Sequence, residues 1–309
     1  MTAQRDISLG KLVIVGVGLI GGSFALALKS AAAVSEVVGI GRTRANLRDA
    51  LERQIVDRVR ALDESWMPEF RDADVVLYAT PVGELQQLLA STAEHLGPHT
   101  IALDVGSTKQ DVIAAARATL GAALPRFVPS HPIAGTEHTG AKAAFATLFR
   151  DRKVVLTPMP ETDPVVLQRV SALWRCTGAT VCELDAALHD RIFAAVSHLP
   201  HVLAFTLVDE LARREDAETF FGFAASGFRD FTRIAASSPE MWRDIALANR
   251  DALLRELANY RDELDRMAAL IRAGDAHGLH QSFARASAAR RAWGAAGTSN
   301  VPADGPREA

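Results

Sequence analysis

Two short segments place chemistry-bearing side chains directly after apolar runs. They are Asp104-Val105-Gly106-Ser107-Thr108-Lys109 and Ser130-His131-Pro132-Ile133-Ala134-Gly135-Thr136-Glu137. An imidazole in such a turn can take a proton from a substrate hydroxyl near neutral pH. Ser107 is expected to orient that hydroxyl or a ring nitrogen of His131. A second polar set lies further along. His189, His198 and His201 flank Pro200, and residues 226–233 read as a loop with Arg229 and Arg233 among aromatics. The guanidinium of Arg233, set between Phe231-Thr232 and Ile234, has the fork of donors that holds a carboxylate. His198 and His201 share a helical spacing, but no third ligand follows at a telling interval, so no metal is expected.

The segment 11–29 indicates what works beside the histidine. A β-branched run at 12–15 breaks into Gly16-Val17-Gly18-Leu19-Ile20-Gly21 and then into a helix-prone stretch. A glycine pattern between strand and helix cradles a dinucleotide. Gly16 permits the tight turn, Gly18 the approach of the pyrophosphate, and Gly21 close packing of helix on strand. The amides around Leu19 and Ile20 then face the phosphates. Residues 12–28 carry no charge, yet four glycines in that window argue against a membrane span or signal sequence. A nicotinamide seated there accepts a hydride from the carbon whose hydroxyl proton goes to His131.

Where an NAD site wants Asp or Glu after the second strand, this chain has Gly41-Arg42-Thr43-Arg44 and no carboxylate before Asp49. Arg42 and Arg44 are expected to stack on adenine and pair a 2′-phosphate, so NADP is the preferred cofactor and NAD a tolerated one. Thr80 and Pro81, which follow the third strand, are counted with the cofactor site.

Positioning these groups requires an alternation of strands and helices. Strands are predicted at 12–15, 36–41, 74–79, 100–105 and 126–129, with helices at 44–54, 82–96 and 109–120 between them. That spacing means an α/β fold with a Rossmann-type, doubly wound parallel sheet, whose strand ends share one ligand-binding edge. Further elements at 153–157, 164–176 and 180–184 are expected to extend the alternation. From His189 the strand signals stop. An apolar segment, 192–211, reads as a buried helix kinked at Pro200. A second long helix opens at Ser238-Pro239, with Leu253, Leu257, Tyr260, Leu264, Met267 and Ile271 as a heptad seam. So much apolar surface on a small all-helical domain points to a core shared across a two-fold axis. The expected division is an N-terminal tail 1–9, a dinucleotide domain 10–185, a helical substrate and dimerisation domain 186–293, and a disordered tail 294–309.

Composition limits the function classes. In 309 residues with net charge −3 there is no basic footprint for nucleic acid. Two cysteines make no disulfide framework and no secretory signal is read, so a cytoplasmic setting is expected.

Taken in order, GVGLIGGS, DVGSTK, SHPIAGTE, HD…SHLPH and GFRDFTRIA…MWRDI resemble the prephenate/arogenate dehydrogenase family of tyrosine biosynthesis, over residues 10–293. The resemblance implies a Rossmann-type domain followed by a helical domain that forms a homodimer. It implies oxidative decarboxylation of prephenate to 4-hydroxyphenylpyruvate, or of arogenate to tyrosine, with both substrates left open. Carried onto this chain, His131 and Ser107 become catalytic, Arg233 binds the ring carboxylate, and His201 contacts the side-chain pyruvyl group. Thr136, Ser197 and Trp242 are implied as pocket lining. Two other readings stand beside it. A β-hydroxyacid or ketopantoate-type dehydrogenase needs a lysine in the helical half, and none follows His189. A non-catalytic dinucleotide-binding module is the other, although Ser107 and His131 are intact. With His131 as base, activity is expected to fall below about pH 6.5.

Overall fold

The computed structural model describes residues 8–136 and 138–297, and its β-branched runs pair into one parallel sheet. The strands are β1 (Leu9–Val15), β2 (Val34–Gly41), β3 (Arg58–Ala61), β4 (Val75–Tyr78), β5 (Ile101–Asp104) and β6 (Phe127–Val128), in the order β3-β2-β1-β4-β5-β6. Helices α1 (Leu19–Ser30), α2 (Arg44–Glu52), α3 (Val82–Thr92), α4 (Gln110–Thr119) and α5 (Pro164–Cys176) cover it. Successive strand residues face opposite sides. Leu12, Ile14, Leu77 and Leu103 share one core with Phe24 of α1 and Trp174 of α5. Val13, Val15, Val76 and Tyr78 share the other with Leu85 of α3 and Val112 of α4. Burial on both faces explains why these strands read as continuous apolar runs.

Strand β3 escapes the hydrophobic pattern because it is an edge strand with charged side chains. Arg58 and Arg60 both pair with Glu69, and Arg58 also with Glu36. Ahead of the central strand β1, the expected N-terminal tail is shortened. Leu9 is buried in β1, while residues 1–7 lie outside the described residues.

The later strands do not extend this sheet. β7 (Ser130–Pro132), β8 (Lys153–Leu156) and β9 (Thr180–Glu183) form a second sheet, with β7 antiparallel to β8 and β8 parallel to β9. Pro129 has no N–H to continue a ladder beyond β6, and its carbonyl accepts instead from Thr157 N. His131 therefore stands on its own short strand rather than in a loose turn.

The helical half departs from the expected pattern at five places. α6 (Ala186–Phe193) runs through a π turn (Ala194–His198) into α7 (Leu199–Ala212). Pro200 has no hydrogen for the carbonyl four residues back, so the distortion precedes the proline. Few residues of α7 are buried, Leu199 and Ala204 among them, so the chain alone does not cover this apolar helix. The expected loop at 226–233 is helical, as α8 (Ala217–Gly222) is followed by α9 (Ser226–Thr232) and a 3-10 turn from Arg233. Ser238 caps α10 (Pro239–Ala248) by accepting from Met241 N, but Asn249 interrupts the long helix before α11 (Arg250–Ala273). α12 (Ala276–Gly297) continues past the expected boundary at 293, and residues 298–309 of the expected tail lie outside the described residues. Two compact units result, one ending at Leu253 and the other beginning at Leu254.

Candidate active site

The carboxyl ends of β1, β4 and β5 lie side by side, and each releases a segment of the site. After β1, Gly16 has φ +100°, and a Cβ there would sit 2.4 Å from the Ala79 carbonyl oxygen. A Cβ on Gly21 would meet the Gly16 carbonyl at 2.5 Å, so α1 lies against the strand only because that atom is missing. Gly18, by contrast, has nothing within 4 Å of its Cβ direction. No side chain caps α1, which leaves the first-turn amides around Leu19 and Ile20 for an anion. These features fit the pyrophosphate of a dinucleotide. Thr80 follows β4 at the same edge, and its buried Oγ1 has no hydrogen-bond partner among the described residues; Pro81 then leads into α3.

Arg42 and Arg44 flank this edge just beyond β2. Arg42 pairs with Glu84 at 2.7 Å, and Arg44 is gripped by Asp63 and Glu64. Both are exposed ion pairs, which bind weakly enough to be exchanged for a phosphate.

After β5 the chain forms a buried anchor. Lys109, fully buried, donates to Asp104 Oδ2 at 2.5 Å and to the Ser130 carbonyl at 2.8 Å. Asp104 also accepts from Gly106 N at 2.7 Å and from Ser130 N at 3.1 Å. One ion pair thus ties β5 to the first residue of β7, next to His131. The His131 Nδ1 atom lies 2.8 Å from His189 Nε2, so only Nε2 is left for Ser107 or a substrate hydroxyl. His189 Nδ1 in turn lies 2.8 Å from Asp190 Oδ1. Phe193 packs against both imidazoles, with ring centroids 4.7 Å and 4.5 Å away.

Burial holds the His131 ring well below the usual histidine pKa, and the positive charge of Lys109 and any on His189 adds to this. The acidic limit expected near pH 6.5 is therefore displaced downward. His189 is lowered by the same cause, against the pull of Asp190. For Asp190 burial works against ionisation, yet hydrogen bonds from His189, Gln110 and Lys109 outweigh it and keep the carboxyl below its usual range.

The π turn and α10 supply the other wall. His201 stacks on Trp242 at 3.5 Å between centroids and 19° between planes, and its Nδ1 donates to the Ser197 carbonyl at 2.9 Å. Burial lowers the His201 pKa and the nearby charge of Arg233 lowers it further, so these two expected substrate residues share one electrostatic environment. Trp242 Nε1 and His198 Nε2 are buried without a hydrogen-bond partner among the described residues. Burial pushes His198 down to about 4. Ser107 is half-buried beyond β5, and Thr136 lies exposed in the turn after β7, its hydroxyl accepting from His138 N. Glu137 lies outside the described residues.

Sequence reading passed over Asp104, Lys109, Asp190 and Asn249. Asn249 donates to the Asp190 carbonyl at 2.7 Å and touches His198 Nδ1 at 3.1 Å, joining the helix break to the cluster. A signal was present in Asp104 and Lys109, opposite charges across a glycine turn within an otherwise apolar stretch. Asp190 is marked only as part of the HD motif, and Asn249 by nothing beyond being polar between apolar helices.

Two family models match the chain. A family model described as "Prephenate dehydrogenase, nucleotide-binding domain" matches residues 24–183, and one described as "Prephenate dehydrogenase, dimerization domain" matches residues 185–285. A prephenate dehydrogenase of Bacillus subtilis (strain 168) is 36% identical over 277 residues, 88% of this chain and 73% of the relative. A cyclohexadienyl dehydrogenase of Zymomonas mobilis is 35% identical over 293 residues, 91% of this chain and 95% of the relative. The crystal structure of prephenate dehydrogenase from A. aeolicus in complex with hydroxyphenyl propionate and NAD+ matches with a TM-score of 0.86 at 32% identity. That match covers 93% of this chain and 99% of the other.

Proposed function

The chain belongs to the prephenate dehydrogenase family, and on that footing we propose that it oxidatively decarboxylates prephenate to 4-hydroxyphenylpyruvate. The observation that carries the reading is a histidine kept neutral by burial, anchored beside the carboxyl edge of a dinucleotide-type sheet. Gly16, Gly18, Leu19, Ile20, Gly21, Thr80 and Pro81 would hold the cofactor. Bound NAD(P)+ supplies the hydride acceptor.

His131 takes the proton of the C4 hydroxyl while C4 loses its hydrogen. The bond from C1 to its carboxylate then breaks, the released electron pair completes the aromatic ring as CO2 departs, and the C4 oxygen recovers its proton from His131 as the phenol. Aromatisation favours that step, so the protein's task is chiefly placement. Arg233 is assigned to the ring carboxylate, with Ser107, Thr136, Ser197 and Trp242 around the substrate. Arg42 and Arg44, with no carboxylate at the end of β2, support a preference for NADP, Glu84 and Asp63 being displaced by the 2′-phosphate. Arogenate is the second reading: the pyruvyl contact that the resemblance implies for His201 favours prephenate, but one feature of the same residue supports arogenate. With its Nδ1 hydrogen given to Ser197, a neutral His201 offers an acceptor at Nε2, which suits a side-chain ammonium.

We further propose a homodimer built on the 185–285 region and a cytoplasmic setting in which Cys176 and Cys182 remain free thiols. Purified protein assayed with prephenate or arogenate and with NAD or NADP tests the catalytic reading. Reduction of NADP by prephenate is the expected strongest signal, and no reduction in any combination would refute it.

A further inference from the structure

We infer that His189 and Asp190 are positioning residues that fix His131 in one tautomer, with hydrogen on Nδ1 and the lone pair on Nε2. The inference rests on His131 being the base, and it adds which ring nitrogen takes the proton and what holds it ready.

The charged end of the chain is Asp190. Its Oδ1 accepts from Lys109 N at 2.8 Å and its Oδ2 from Gln110 N at 2.9 Å, both at the start of α4. These bonds, with the positive end of the helix dipole, keep a buried carboxyl ionised. An ionised carboxylate only accepts. His189 Nδ1, 2.8 Å from Asp190 Oδ1, must therefore carry a hydrogen. A neutral His189 then has a bare Nε2, which accepts from the atom 2.8 Å away, His131 Nδ1. A neutral His131 with hydrogen on Nδ1 has its lone pair on Nε2.

The surroundings leave this arrangement little freedom. His131, His189 and Asp190 are all buried, and Phe193 packs on both rings. Asn249 holds the Asp190 carbonyl from a different helix. In the proton transfer, the substrate O–H bond breaks and an N–H bond forms at His131 Nε2. The new positive charge is steadied through Nδ1–H, His189 and the Asp190 carboxylate, and no second proton has to move. The interposed neutral ring keeps Asp190 away from His131, so the base gains orientation without the strong rise in pKa that a directly bonded carboxylate brings.

Histidine-selective 15N NMR of the full-length protein, with His131 assigned by its loss in His131→Asn, reads the tautomer directly. An unprotonated Nε2 and a protonated Nδ1 are expected at neutral pH. His189→Leu removes the acceptor. It is expected to erase that signature and lower kcat about 10- to 100-fold, with KM for prephenate within about twofold. His189→Gln keeps an acceptor oxygen and is expected to restore the tautomer and most of the rate. A protonated Nε2 in the wild-type protein overturns the inference, whether or not the leucine variant folds. So does His189→Leu with wild-type kcat and an unchanged His131 spectrum. If His131→Asn instead keeps full kcat, the base role fails, and the positioning role with it, even where the tautomer is as described.

Discussion

In the proposed mechanism His131 serves as a base only while its ring is uncharged, and its neighbours favour that state. Burial disfavours the imidazolium, as does repulsion from Lys109, and the folded-state pKa lies well below the usual 6.5. A group that works unprotonated and has a lowered pKa stays active as pH falls through the ordinary histidine range. The acidic limb of kcat is thus expected below pH 6.5, and a limb at or above that value would argue against His131 as the titrating group. Arg233 is proposed for a different task. A guanidinium holding a carboxylate in ground and transition states alike contributes uniform binding. Arg233→Ala is therefore expected to raise KM for prephenate about tenfold or more while kcat changes less than about threefold. Steady-state kinetics with a large kcat loss and an unchanged KM would reverse that role.

At the scale of elements, the site depends on how β5, β7 and α6 are pinned together. Lys109 and Asp104 are 0% and 1% exposed, so removing one partner leaves a buried charge uncompensated. Lys109→Met is expected to cost about 3–5 kcal/mol of unfolding free energy, measured by denaturant titration. A loss below about 1 kcal/mol would mean the pair carries little of the architecture. The main sheet was legible from sequence because its strands are buried on both faces and end in glycine or proline turns. β3 was not, since an edge strand of alternating arginines lacks that pattern. Nor was the separation of β7 from the main sheet, which follows from tertiary pairing with β8. His131 and Ser107 stand out in the sequence because both follow apolar strands. The partner of His131 could not, because His189 lies 58 residues further on and only folding brings the two rings together. The helix at 226–232 was read as a loop because glycine and clustered aromatics mask its helical spacing.

For the whole molecule, apolar surface is left over in the helical half. On α11, Leu264 and Ile271 are 52% and 65% exposed, on the seam that begins at Leu253. Burying such side chains contributes about 1.5–3 kcal/mol each, enough to sustain a dimer when repeated across a two-fold. The double substitution Leu264→Glu, Ile271→Glu is expected to shift the protein from dimer to monomer in sedimentation velocity. A dimer of unchanged affinity would place the interface elsewhere. In the proposed mechanism all of these features serve one act, the removal of a hydroxyl proton by His131 as prephenate loses hydrogen at C4. The most direct test is kcat of His131→Asn with prephenate and NADP, at the pH where the wild-type enzyme is fully active. A fall of about 10²- to 10⁴-fold with KM little changed is the expected result, and kcat within about twofold of wild type would contradict it.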